Sequence, residues 1–375
     1  LIVLVITIIV MIILAAAIIL SLSNSGIIGK ANKAKTDSDT ANLKEYVNTL
    51  RAEYELMTAD EQVAAGEFVD YANTKLAEKG YKRKLAADGK TIMNEAATAA
   101  VDAGIKIGDE VKYSAVLTAK DYITDGSETS PTGAADSTKT QTVKTNTSYT
   151  WKYIGLGENG SLLIAPDLTG RIDNDYKLTL GDKGGYINGP KMLNTVCDAL
   201  YTVEGKGKAQ SMNIELVNKL LEYNGPKGMY YDTSKNLVET AEPKTIEETG
   251  LESSLGSNTQ TPDGKDISTY YADCYYINKT EHASRITKDT VRQNLVYQSN
   301  AYWLASTCVN AYFNLGWVRF YVRDVDSSYM CSGAINMFVS TGNAGNYAYA
   351  VRPYVSLTTN VQKTTENGKT VWTLS

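Results

Sequence analysis

A single histidine, His282, stands in a chain of 375 residues. Catalytic zinc and iron sites draw mostly on two or more histidines, so that scarcity disfavours both classes. An excess of basic charge is missing as well. The 37 Lys and Arg residues face 42 Asp and Glu, for a net charge of −5. Nucleic-acid-binding surfaces show as a basic excess, so no nucleic acid is expected as a partner. Phenylalanine is scarce, four residues against 26 tyrosines. Tyrosine pairs an apolar ring with a polar tip and suits half-exposed strands. No Walker phosphate loop and no Cys-x-x-Cys-His haem attachment occur. No cofactor is expected, and no enzymatic activity.

What is present first is hydrocarbon. Leu1 to Leu20 reads LIVLVITIIVMIILAAAIIL, without a charge and with Thr7 as its one polar side chain. As a helix at about 1.5 Å per residue it is roughly 30 Å long, the thickness of a bilayer core. Apolar residues cover every face, so such a helix must be buried all round, in lipid or among its own kind. Each side chain left in water costs about 1.5–3 kcal/mol. Three readings compete: a secretory signal, a plain membrane anchor, and a helix held in the membrane before withdrawal into a filament core. The run exceeds the usual apolar region of a signal.

Ser21 to Lys30 carries Gly26 and Gly29, where the helix is expected to loosen. Helical spacing then resumes, with Leu43, Val47, Leu50 and Tyr54 on one stripe. Residues 57 to 104 read as a helical connector. Gly104 to Val116 reads as two strands around Gly108-Asp109. Thr124 to Thr150 is a loop in which 13 of 27 residues are Ser or Thr. Two strands around Asn159-Gly160, a helix over Lys191 to Val203 and another over Ile214 to Tyr223 follow. Residues 358 to 375 read as a C-terminal tail. No repeat of 20 to 50 residues recurs.

The start of the chain, LIVLVITIIVMIILAAAIILSLSNSGIIGKANKAK, resembles the mature N-terminus of type IV pilin-like proteins of Gram-positive, clostridia-type bacteria. That resemblance implies processing by a prepilin peptidase and assembly into a homopolymer through residues 1 to 56. The assembly core would be Leu1, Val3, Ile6, Ile9, Ile13, Leu14 and Ile18. Val3 occupies the position where most pilins have a glutamate, so here register would rest on packing. The phrases WKYIGLGENGSLLIA, INGPKMLNTVCDALY, AQSMNIELVNKLL, AYWLAST and YAVRPYVSL resemble the Fibrobacter major-paralog and sulfatase-modifying-factor type domains. Over residues 105 to 357 they imply a C-type-lectin-like head. The fold class expected is therefore α+β, a long N-terminal helical spine carrying a C-type-lectin-like mixed α/β head.

The function expected is that of a structural subunit of an extracellular, cell-surface filament. Its partners would be other copies of itself, the pilus assembly machinery, the prepilin peptidase and, before assembly, the membrane. The alternative is a tethered or tip adhesin whose head binds glycan, with Tyr270, Tyr271, Tyr275 and Tyr276 stacking on sugar rings. Four cysteines allow three full pairings. Cys308 and Cys331, in neighbouring strand-like segments, are the pair expected first, and Cys197 reads as a buried thiol. Trp303 and Arg352 read as core and strand-brace residues. Asp173-Asn174-Asp175 and Asp324-Val325-Asp326-Ser327 read as solvated turns rather than calcium loops.

Overall fold

The computed structural model describes residues 27–113, 118–124, 140–168, 172–312, 315–326 and 333–375. The expected assembly core, Leu1 to Ile18, and Gly26 lie outside them. The chain divides into two compact units, Leu1–Glu95 and Ala96–Ser375.

The smaller unit is helical. α1 (Ile27–Glu55) is followed by α2 (Ala59–Ala65) and α3 (Phe68–Glu78). The stripe on α1 is what buries it: Leu43, Val47 and Leu50 pack with Ala72, Leu76, Leu85 and Ile92. Arg51 lies 4.0 Å over the Phe68 ring and donates from Nη2 to the Gly89 carbonyl at 2.6 Å. Thr58 opens α2 with a capping box, its side chain accepting from the Glu61 amide while Glu61 accepts from the Thr58 amide.

The larger unit is mostly sheet. After α4 (Glu95–Asp102) come β1 (Glu110–Lys112), β2 (Asp121–Ile123), β3 (Thr142–Lys144), β4 (Trp151–Leu156), β5 (Leu162–Pro166) and β6 (Lys177–Gly181). The 20-residue α5 (Asp182–Tyr201), β7 (Gly207–Ser211) and α6 (Ile214–Leu221) follow. Next are β8 (Gly228–Tyr231), β9 (Leu237–Thr240), β10 (Lys244–Thr245), α7 (Ile246–Thr249), α8 (Glu252–Leu255), β11 (Tyr271–Ala272) and α9 (Thr290–Val296). The chain closes with β12 (Tyr302–Tyr312), β13 (Trp317–Val325), β14 (Gly333–Val339), β15 (Asn346–Ala350), β16 (Pro353–Leu357), β17 (Val361–Glu366) and β18 (Lys369–Leu374).

Seven strands form one sheet in the order β17-β18-β1-β4-β5-β16-β7. A second sheet runs β14-β13-β12-β15-β6, with β8 added beside β12 and β9 beside β8. One core draws on both, joining Ile154, Leu163 and Ala165 to Tyr302, Leu304, Val325 and Ala350 under α6 and α9.

This architecture corrects the expected fold class. α1 is no spine for a lectin-like head: its apolar stripe is consumed locally by α3 and by Leu85 and Ile92. The remaining helices are short apart from α5, and two seven-stranded sheets take the place of the mixed α/β head. Gly29 lies inside α1, which continues through it, so no loosening is seen there. The expected tail is instead structural. β17 and β18 pair as a hairpin, and β18 lies parallel to β1 with Trp372 opposite Val111. Of the Ser/Thr-rich loop, residues 125–139 lie outside the described set, and Thr142–Lys144 is a strand paired with β2. Among the described residues no helix is long and apolar enough to cross a membrane.

Candidate functional site

Strand alternation builds a cleft in the larger unit. β16 buries Pro353, Val355 and Leu357, which turns Tyr354 and Ser356 to its other face. β7 likewise buries Ala209 and presents Gln210, the register partner of Tyr354. The Tyr354 hydroxyl donates to Gln210 Oε1 at 2.5 Å. α6 buries Ile214, Leu216, Val217, Leu220 and Leu221, and Glu215 and Lys219, four residues apart, remain on its open side. Lys219 Nζ donates to the Leu156 carbonyl at 2.7 Å, tying the helix to the end of β4. The resulting cleft holds about 340 Å³, at the small end of ligand sites.

The wall between β4 and β5 is a tight turn. Asn159 Oδ1 accepts from the Ser161 amide at 3.1 Å and its hydroxyl at 2.6 Å. Gly155-Leu156-Gly157-Glu158-Asn159-Gly160 has Gly-x-Gly-x-x-Gly spacing. It joins two antiparallel strands rather than a strand to a helix, so it lacks the context of a dinucleotide site. Its glycines serve the turn, with Gly155 at φ 126° and Gly160 at φ 74°. Burial, then the charges of Glu158, Cys197 and Glu215, push the Tyr354 phenol above its ordinary value.

The tyrosines expected as ligand platforms do not form one surface. Tyr271 is exposed, Tyr270 packs edge-on against Phe320, and Tyr275 is buried and stacked on Tyr223 with centroids 5.4 Å apart. Tyr276 is half-buried beside Cys274 and Cys308. Three of the four thus serve packing.

The disulfide joins Cys274 to Cys308, with Cα atoms 4.8 Å apart. This replaces the expected pairing of Cys308 with Cys331, and Cys331 lies outside the described residues. The reason is tertiary: the segment after β11 lies along β12, where Asp273 Oδ1 accepts from the Val309 amide at 2.7 Å. Cys197 is a fully buried free thiol, and burial pushes its pKa far up.

Trp303 is fully buried and donates from Nε1 to the Leu178 carbonyl at 2.7 Å, bridging β12 to β6. Asp175 pairs with Lys144 at 2.9 Å in the open. Asp324 is no solvated turn. It is 1% exposed with Oδ1 unpartnered, and burial, then Asp326, pushes its pKa up to about 8. Ser327 lies outside the described residues. His282 Nδ1 accepts from the Asn278 amide at 2.9 Å, far along the chain from the cleft residues. Among the described residues no three His, Cys, Asp or Glu side chains gather as a metal site.

No protein-family model, curated protein or solved structure matches the chain.

Proposed function

We propose that the chain is the subunit of an extracellular filament of the type IV pilus kind, polymerising through its apolar N-terminal segment. The observation that carries this reading is the uncharged run Leu1 to Leu20 continuing into a chain with two separately cored units. A segment of that composition needs an apolar surround, and other copies of itself provide one outside the membrane. The Cys274–Cys308 disulfide supports an oxidising, cell-surface location. On this reading the precursor waits in the membrane, a prepilin peptidase releases it, and the pilus assembly machinery extracts it. Electron microscopy of material sheared from cells, with mass spectrometry of the N-terminus, tests it. Long filaments of this chain are expected, and Ile13→Lys is expected to abolish them. Normal filaments from that variant would sink the reading.

A second reading, an adhesin for glycans, is favoured by the cleft rather than by the exposed tyrosines. Leu156, Leu163 and Leu216 offer an apolar wall, while Asn159, Gln210, Asn213 and the Glu158 and Glu215 carboxylates offer partners for hydroxyl groups. Binding of the full-length protein to a glycan array, lost in Gln210→Ala, would support it. Binding indifferent to that change would place any glycan elsewhere.

A further inference from the structure

In the smaller unit, α1 carries Lys44, Asn48 and Arg51 four and three residues apart, so the three share one flank of the helix beside the buried Val47. Facing them is a short hairpin in which Leu85 bridges Ile92 and the chain turns through Asp88-Gly89-Lys90. Asp88 holds that turn closed. Its Oδ1 accepts from the Lys90 and Thr91 amides at 2.8 Å each, and its Oδ2 from the Thr91 hydroxyl at 2.6 Å. The Gly89 carbonyl accepts from Arg51 Nη2 at 2.6 Å, which fixes the hairpin to α1.

Helix and hairpin together line a cavity of about 500 Å³. Val47 and Ile92, 5% and 4% exposed, give it an apolar lining, and Lys44, Arg51 and Lys90 give it three cations. Among the described residues none of the three is held in an ion pair, whereas Lys75, Lys112, Lys144, Lys227 and Lys265 each meet a carboxylate. Among the described lining residues Asp88 is the one carboxylate, and both its oxygens are engaged by the turn. Three cations against one carboxylate leave a surplus of two positive charges, in a chain whose net charge is −5. Like charges around one space repel, and an anion seated among them turns that repulsion into attraction.

We infer that this cavity binds a phosphate monoester with a sugar or polyol body. Near neutral pH such a phosphate carries close to two negative charges, which matches the surplus. Arg51 uses Nη2 on Gly89, and its other nitrogens remain for the paired bonds that guanidinium groups make to phosphate. Lys44 adds a point charge from the helix and Lys90 another from the hairpin. The Asn48 amide, donor and acceptor together, suits a hydroxyl group. Val47 and Ile92 suit the carbon skeleton, and a bare anion would leave most of the space unused. The inference depends neither on the filament reading nor on the cleft in the larger unit.

The test is calorimetric titration of the full-length protein, in detergent, with glucose 6-phosphate. Binding is expected, and it weakens as salt rises. Glucose is expected to give none, and inorganic phosphate to bind roughly tenfold or more weakly for want of the carbon body. Lys44→Gln combined with Lys90→Gln changes two exposed side chains. It is expected to weaken binding roughly tenfold or more with the melting temperature unchanged. Bound glucose 6-phosphate is expected to shield Lys44 and Lys90 from acetylation and to leave the exposed Lys82 reactive. No binding overturns the inference, as does binding that glucose matches or that the double variant retains in full. Equal affinity for inorganic phosphate overturns the sugar or polyol body. An array of phosphorylated glycans separates the two sources of such a group: binding there supports a surface glycan, and binding confined to the free ester supports a soluble sugar phosphate.

Discussion

The guanidinium of Arg352 lies 4.8 Å over the ring of Tyr302 and donates from Nη1 to that residue's hydroxyl at 2.9 Å. Its Nε donates to the Pro166 carbonyl at 3.1 Å, and the Tyr302 hydroxyl donates to the Val296 carbonyl at 2.9 Å. Both side chains are fully buried. One arginine thus joins β16, β5 and β12, so the two sheets share a hydrogen-bonded junction as well as an apolar core. Arg352→Ala leaves buried acceptors unpaired and opens a cavity. Unfolding in urea is expected to show a loss of about 3 kcal/mol or more.

Asp324 makes stability fall with pH. Its folded pKa of about 8 lies above the ordinary carboxylate value near 3.9, so between those limits the folded state holds more protons than the unfolded one. The protonated carboxyl is accommodated at acid pH, and stability is lost progressively as pH rises from about 4 to about 8. Asp324→Asn is expected to flatten that slope and to stabilise the protein above pH 8 by several kcal/mol, up to about 5. Melting temperatures of both proteins across pH 4 to 9 check this. Parallel curves would contradict it.

The Cys274–Cys308 bond closes a separation of 34 residues. Constraining an unfolded loop of that size stabilises the fold by about 3–4 kcal/mol. Cys274→Ser is expected to lower the denaturant midpoint accordingly. Non-reducing peptide mapping should recover Cys274 linked to Cys308; recovery of Cys308 linked to Cys331 would refute the assignment.

Trp372 is fully buried and donates from Nε1 to Asp109 Oδ2 at 3.0 Å. Trp372→Ala is expected to cost about 3–5 kcal/mol, as for a core aromatic rather than a tail residue. Truncation after Leu357 should expose β1 and promote aggregation through its unpaired edge. A truncated chain with the melting temperature of the whole would show the hairpin to be dispensable.

Local patterns read from the sequence lie close to the structure where one short-range periodicity decides. Leu43, Val47 and Leu50 face one core, and Leu193, Val196, Cys197 and Leu200 share the buried face of α5. α5 begins earlier than its apolar stripe, and Gly185 and Gly189 let that first part approach β6 closely. A Cβ on Gly189 would lie 3.1 Å from Leu180 Cδ1. Among the described residues from Gly104 to Tyr113 one strand forms, Glu110–Lys112, because the Ile105 amide bonds back to the Ala100 carbonyl at the end of α4. The cleft was not legible. Gln210, Asn159 and Tyr354 come from three distant segments, and no spacing along the chain links them.

The sequence by itself determined where apolar surface must be hidden: in the uncharged run Leu1 to Leu20, in the α1 stripe and in the alternating strands. Only the tertiary structure decided which strands pair, so that β1 meets β18 across some 260 residues, Cys274 takes Cys308, and Asp324 is sealed from water. The physical reason is one of range. Periodicity records the side of an element that faces a core, but the partner on the other side of that core is chosen by the whole chain's packing.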